Sequence, residues 1–264
     1  MTEIVQTKTT ALITGASSGI GYELAKLFAQ NGHNLVLVAR NEKALNQLSE
    51  ELREKFGVNV KVISKDLSVI TAAQEIVDEL QQEAVKIDIL VNNAGFDVYG
   101  QFYETELNKE LQMLQVNLVT LTQLTKLLVG DMVERKSGKI LNIASIGSFA
   151  PSPLNAVYSA TKAYVLSFSE AIAEELNGSG VTVTCLCPGA TWTEFQKRAE
   201  MGDIRILKHG VMNADTVADI GYRAVMAGKR VVVPGLYNKI QIQFMRLLPK
   251  IVIVKLSKLM LQRA

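Results

Sequence analysis

Apolar positions change period repeatedly along this chain. Thr10–Thr14 is a short apolar run, and Gly21–Asn31 then carries Leu24, Leu27 and Phe28 at helical spacing. The alternation continues. Asn34–Ala39, Asn59–Ser64, Ile89–Val91, Lys139–Ile143, Val181–Leu186 and Arg230–Val233 read as strands. Glu42–Phe56, Thr71–Glu83, Leu107–Glu134 and Asn155–Leu176 between them read as helices. Strand and helix at this spacing predict βαβ units with right-handed crossovers. The expected fold is α/β: one domain, a doubly wound parallel sheet of about seven strands, and helices on both faces.

A hydrophobic fraction of 48% and a charged fraction of 20% supply a large core and exclude a disordered chain. Cys185 and Cys187 stand two apart in a strand, too close to bridge, so a disulfide framework is excluded and a cytoplasmic location expected. The two histidines, His33 and His209, form no cluster, and no metal is expected. The first ten residues carry no apolar core of a signal peptide, and no run of 18 apolar residues suits a spanning helix. The net charge of +2 is uneven: nine bases and no acid follow Asp219, against 19 bases and 26 acids up to that point. No nucleic-acid partner is expected.

Thr14-Gly15-Ala16-Ser17-Ser18-Gly19-Ile20-Gly21 directly follows the first strand and opens the first helix. In that context glycines permit a tight turn and a close approach of backbone to a pyrophosphate, which the free N–H groups of the helix end attract. This points to a Rossmann-type dinucleotide site. The second strand ends Val38-Ala39-Arg40, with no acid to bind a ribose 2′-hydroxyl. Arg40, with Ser17 able to add a hydroxyl donor, suits a 2′-phosphate instead, so NADP(H) is the preferred cofactor and NAD(H) the alternative.

The spacing Gly-x3-Gly-x-Gly resembles that of the short-chain dehydrogenase/reductase family, and further motifs extend the resemblance in the same order. Asn92-Asn93-Ala94-Gly95 is similar to the family's NNAG segment, and Asn117 stands where the family keeps a catalytic Asn. Ser145, Tyr158 and Lys162 fit its Ser-x12-Tyr-x3-Lys pattern, and Pro188-Gly189 with Thr191 and Thr193 resembles its PG-x3-T segment. The resemblance implies that Ser18, Gly19, Ile20, Asp66, Leu67, Asn93, Ala94, Gly95, Pro188, Gly189, Thr191 and Thr193 contact the cofactor. It also implies that Tyr158 contacts the cofactor, that Lys162 binds the nicotinamide ribose and that Asn117 holds a water relaying protons to Lys162.

Tyr158 and Lys162, four apart on a helix, share a face. A phenol titrates near 10, and a neighbouring ammonium is expected to bring it down toward the working range of a general acid or base. Ser145 would orient the same substrate oxygen; Ser148, only ten residues before Tyr158, fits the spacing less well. The reading is hydride transfer between a nicotinamide and a carbonyl or secondary alcohol. A non-enzymatic cofactor sensor is the third alternative, which the intact Ser145, Tyr158 and Lys162 oppose.

Substrate specificity is expected in Phe96–Tyr103 with Ile146–Leu154, and in a lid over Trp192–Val211 rich in large apolar residues (Trp192, Phe195, Met201, Ile204, Ile206, Leu207). That lining favours a hydrophobic fatty-acyl, steroid-like or isoprenoid substrate. Leu111, Leu114, Leu118, Leu121 and Leu124, with Val157, Ala160, Tyr164 and Phe168, would form an isologous interface in a homodimer or homotetramer, as the resemblance implies. Residues 1–238 would form the dinucleotide-binding and catalytic domain, and 239–264 a basic amphipathic extension broken at Pro249. Packing on the protein is the favoured reading of that tail, because Ile251–Val254 is apolar on all sides. Peripheral membrane contact is the alternative.

Overall fold

The computed structural model describes residues 8–194, 204–205 and 210–263. Strands β1 (Thr10–Thr14), β2 (Asn34–Ala39), β3 (Val60–Ser64), β4 (Ile89–Asn92), β5 (Gly138–Ile143) and β6 (Val181–Leu186) join β9 (Val231–Val232) in one sheet. Its order is β3-β2-β1-β4-β5-β6-β9, every pairing parallel. The central strands are largely apolar and almost wholly buried because both faces are covered. Ile13, Leu37, Val91 and Leu141 pack on one side with Leu24 and Phe28 of α1 (Gly19–Gln30), Leu45 of α2 (Glu42–Phe56) and Val217 of α7 (Ala214–Met226). Their strand neighbours Leu12, Val36, Leu90 and Ile140 face the other side. There they meet Ile76 and Leu80 of α3 (Ala72–Gln82) and Leu124 and Met132 of α5 (Leu121–Glu134). Phe28 is fully buried, and its truncation to Ala would cost about 3–5 kcal/mol.

Strand order reverses between β1 and β4, which opens a crevice at their carboxyl ends. The glycine turn follows β1 and the Asn93–Gly95 segment follows β4, so topology alone brings them together.

Three features differ from expectation. The helix expected over Leu107–Glu134 is three pieces: α4 (Leu107–Leu114), a π-helical stretch Gln115–Thr120, and α5. Hydrophobic spacing does not separate α from π winding over one turn, and such stretches often accompany functional residues. Two short strands, β7 (Thr191–Trp192) and β8 (Met212–Asn213), pair in parallel at the roots of the expected lid. The tail forms α8 (Leu236–Leu247) and α9 (Lys250–Leu261), divided as expected at Pro249. It packs on the protein by one side. Ile242, Ile253 and Leu261 are buried, but Ile251 is 65% exposed, so the expectation of a wholly buried Ile251–Val254 is corrected.

The cysteines are buried thiols with Sγ atoms 3.8 Å apart. His33 is buried between Thr9 (2.6 Å) and Tyr222 (3.3 Å), a packing position. No helix among the described residues is long and apolar enough to cross a membrane.

Candidate active site

The crevice at the strand carboxyl ends is one continuous cavity of about 590 Å³. The turn that forms its floor is fixed by β4. Thr14 Oγ1 accepts from the amides of Asn93 and Ala94 (3.0 Å each), and Asn93 Nδ2 donates to the carbonyls of Thr14 (2.9 Å) and Gly15 (3.2 Å). Gly15 (φ +67°) and Gly19 (φ +59°) hold backbone conformations that side chains resist. Gly21 lies behind the turn, where a Cβ would collide with the Gly15 carbonyl and the Asn93 amide. No acid stands in the first turn of α1, so the helix end keeps its attraction for an anion.

Of the expected cofactor contacts, Gly15, Ser17, Ser18, Gly19, Ile20, Arg40, Asp66, Leu67, Asn93, Ala94 and Gly95 line this cavity, as do Tyr158, Lys162, Pro188, Gly189, Thr191 and Thr193. Gly21 and Asn117 stand just behind the wall. Arg40 is exposed at the mouth. Asp66 next to it accepts from the Ser68 amide (2.9 Å) and hydroxyl (2.8 Å). Burial works against the Asp66 charge, but those two bonds and the Arg40 guanidinium hold its pKa below the usual value. A glycine cradle at a helix end fits the pyrophosphate of a dinucleotide.

At the other end, Ser145 follows β5 in extended conformation and caps a short 3₁₀ turn, its Oγ accepting from the Gly147 amide (3.1 Å). It also hydrogen-bonds Tyr158 of α6 (Ala156–Glu175). Ser148 Oγ donates to the Lys162 carbonyl (2.8 Å) and so ties the 3₁₀ turn to α6. Geometry thus favours Ser145 over Ser148 for the substrate oxygen.

Lys162 is buried, with Nζ donating to the Ile143 carbonyl (2.9 Å) and lying 5.6 Å from the Tyr158 ring centre. Burial lowers its ammonium to about 8, against the opposing influence of Cys185, Asp97 and Cys187. Tyr158 departs from expectation. Burial, and then the Asp97 charge, hold its phenol above the usual value, and only the bond with Ser145 opposes them. Desolvation outweighs an ammonium that is itself engaged with a carbonyl.

Asn117 sits in the π-helical stretch. Its Nδ2 donates to the Phe96 carbonyl (3.0 Å) and Thr161 Oγ1 (3.2 Å), and its Oδ1 accepts from the Phe96 amide (3.2 Å). It therefore clamps the β4 loop onto α6. A Cβ at Gly95 would lie 3.0 Å from Asn117 Oδ1 and 3.4 Å from Lys162 Nζ, so the three positions are packed tightly together.

The substrate end is formed by parts of the expected segments. Phe96, Asp97, Ile146, Ala150 and Ser152 line it, whereas Phe102 (68% exposed) and Tyr103 (81%) face outward, correcting their assignment there. Of the expected lid, Ile204 is fully buried beside Tyr99, Leu154 and Leu261, while Trp192 is exposed. Phe195, Met201, Ile206, Leu207 and His209 lie outside the described residues. The sequence reading missed two parts. Phe244, Met245, Leu256 and Met260 of α8 and α9 form a cavity wall, where charge had pointed outward. Asp97 is a buried carboxylate whose Oδ2 accepts from Asn155 Nδ2 (2.5 Å) and whose Oδ1 has no well-aligned partner. The signal available was an acid inside the apolar run Phe96–Tyr103.

Residues 9–203 match the short chain dehydrogenase family. The chain belongs to that family. This dehydrogenase is 32% identical over 209 residues to an uncharacterized oxidoreductase of Staphylococcus epidermidis, covering 79% of this chain and 87% of the relative. It is 34% identical to the very-long-chain 3-oxoacyl-CoA reductase of Mus musculus over 71% of this chain, spanning 61% of that enzyme. A short-chain dehydrogenase from Sphingobium yanoikuyae, solved in complex with NADPH, superposes with a TM-score of 0.80 at 34% identity, over 92% of this chain and 97% of that one. Family and fold make the protein an oxidoreductase of carbonyl and CH–OH groups that uses a nicotinamide cofactor.

Proposed function

We propose that this dehydrogenase uses NADP(H) to reduce the carbonyl of a hydrophobic substrate, of the long-chain acyl, steroid-like or isoprenoid kind. The observation that carries the reading is a single cavity with Arg40 at one mouth, Ser145, Tyr158 and Lys162 at its centre, and an apolar wall from α8 and α9 at the other end. The NADPH-bound relative and the acyl-CoA reductase relative support the two halves of the proposal.

The chain's own contributions follow from placement. Ser145 and Tyr158 would hold the carbonyl oxygen, with the Tyr158 hydroxyl donating its proton as charge develops there. Lys162, its Nζ bonded to the Ile143 carbonyl, would hold the ribose hydroxyls and keep a positive charge beside the phenol. Asn117 keeps the β4 loop and α6 in register, and the apolar wall excludes water. The reduced nicotinamide, when bound, supplies the hydride.

A panel of ketones and 3-oxoacyl thioesters of increasing chain length, followed by NADPH oxidation, tests the proposal. Catalytic efficiency should rise with apolar length and exceed that with NADH. Tight NADPH binding without turnover of any carbonyl, or a preference for short polar ones, would overturn it.

A further inference from the structure

The wall that α8 and α9 give to the cavity has an outer side. Leu236, Ile240 and Leu247 stand four and seven residues apart on α8 and are 73%, 60% and 83% exposed, with Phe244, 58% exposed, at the border between this side and the cavity wall. That spacing makes one stripe, on the side opposite the buried Asn238 and Ile242. On α9 the exposed apolar positions are Ile251, Val252, Leu256 and Leu259, of which Leu256 also lines the cavity, with Lys255 and Lys258 exposed among them. Lys239, Arg246, Lys250 and Arg263 are exposed as well. An exposed apolar surface of two adjoining helices is more than the scattered apolar residues of an ordinary surface and marks an interaction face.

The C-terminal end of α9 is tied to the rest of the protein. Tyr99 Oη donates to the Leu261 carbonyl (2.6 Å), and Ile204 bridges to Arg263. Charge decides the partner. No acidic residue follows Asp219, so a two-fold contact with a second copy would set these bases against themselves. A bilayer with anionic headgroups offers both an apolar layer for the stripes and negative charge for the bases. Each helix has 12 residues, which suits lying in the interface and is too short to span.

We propose that α8 and α9 dock this dehydrogenase on an anionic membrane surface, with the α8–α9 end of the substrate cavity turned toward the lipid. The delivery of apolar substrate from lipid rests on the reading given under Proposed function; the docking itself does not.

Co-sedimentation of the full chain with phosphatidylcholine vesicles, with and without about 30% phosphatidylserine, tests it. Binding is expected to the anionic vesicles at low salt and to fall at least about tenfold at high salt, as screened charges require. The triple variant Lys250→Glu, Lys255→Glu, Lys258→Glu should bind at least about a hundredfold more weakly. Leu247→Ser with Ile251→Ser should also lose binding, and these exposed changes should leave the melting temperature and turnover of a water-soluble ketone unaltered. Failure to pellet with anionic vesicles, equal pelleting of the triple variant, or a self-association abolished by the same changes would overturn the proposal. A chain that pellets but reduces no carbonyl would sink the proposed activity and leave the docking intact.

Discussion

Replacing Asp97 by Asn keeps the side chain's shape, and the new amide oxygen can still accept from Asn155. What disappears is a carboxylate that is 5% exposed beside Tyr158 and Lys162. Burial, with the nearby charge of Glu110, raises Asp97 from 3.8 to about 7, while the Val98 amide and Lys162 pull the other way. The folded protein therefore binds this proton more tightly than the unfolded chain. The stability it contributes is complete below pH 3.8 and is lost as pH rises to about 7. At about 1.4 kcal/mol for each pH unit, the loss is at most about 4 kcal/mol. A chain of this size gains about 2–4 °C in melting temperature per kcal/mol. Asp97→Asn should thus be close to wild type below the usual carboxylate pKa, melt roughly 3–6 °C higher at pH 5 and up to roughly 8–16 °C higher at pH 8. Thermal melts at half-unit steps read the difference directly, since other titrations cancel between the two proteins. Parallel curves from pH 5 to 8 would refute the reasoning. The same change should lower the pH at which Tyr158 loses its proton, visible as an alkaline limb of kcat/KM displaced to lower pH, because the Asp97 charge raises the phenol.

Two further outcomes are expected. Arg40→Asp should weaken NADPH binding by about tenfold to a hundredfold and reverse the order of NADPH and NADH, measured by fluorescence titration; an unchanged ratio would remove Arg40 from cofactor choice. Leu107, Leu111 and Val119 are exposed on α4 and the π-helical stretch, and Tyr164 is exposed on α6, stacked on Phe168 with ring centres 5.7 Å apart. Light scattering is expected to give a dimer or tetramer through these faces, and a 28.9 kDa particle at micromolar concentration would contradict it.

The sheet was legible because both its faces are covered. β1, β2 and β6 read as apolar runs with the boundaries the structure gives, Asn59–Ser64 missed by one residue at its start, and Arg230–Val233 by one residue at each end. The glycine turn was legible because its chemistry is local. What escaped was set by tertiary contact. Winding at Gln115–Thr120 leaves no trace in spacing, and the two-residue ladder of β7 and β8 has no period to detect. Leu121 and Leu124, read as interface residues, are buried in the monomer core, since a leucine stripe looks alike against either partner. Ile251 was read as buried because Ile251–Val254 is apolar on all sides, a pattern that an exposed face shares. The Tyr158 pKa went the wrong way because spacing shows the ammonium and hides the desolvation.

The central claim is that the Tyr158 hydroxyl protonates the substrate and adds little to cofactor affinity. Tyr158→Phe keeps the ring and removes the proton. Stopped-flow mixing of enzyme, NADPH and the best long-chain ketone of the panel measures hydride transfer in a single turnover, alongside the NADPH dissociation constant. The account predicts hydride transfer at least about a hundredfold slower, with NADPH affinity nearly unchanged. A variant that keeps more than half the wild-type rate would contradict it.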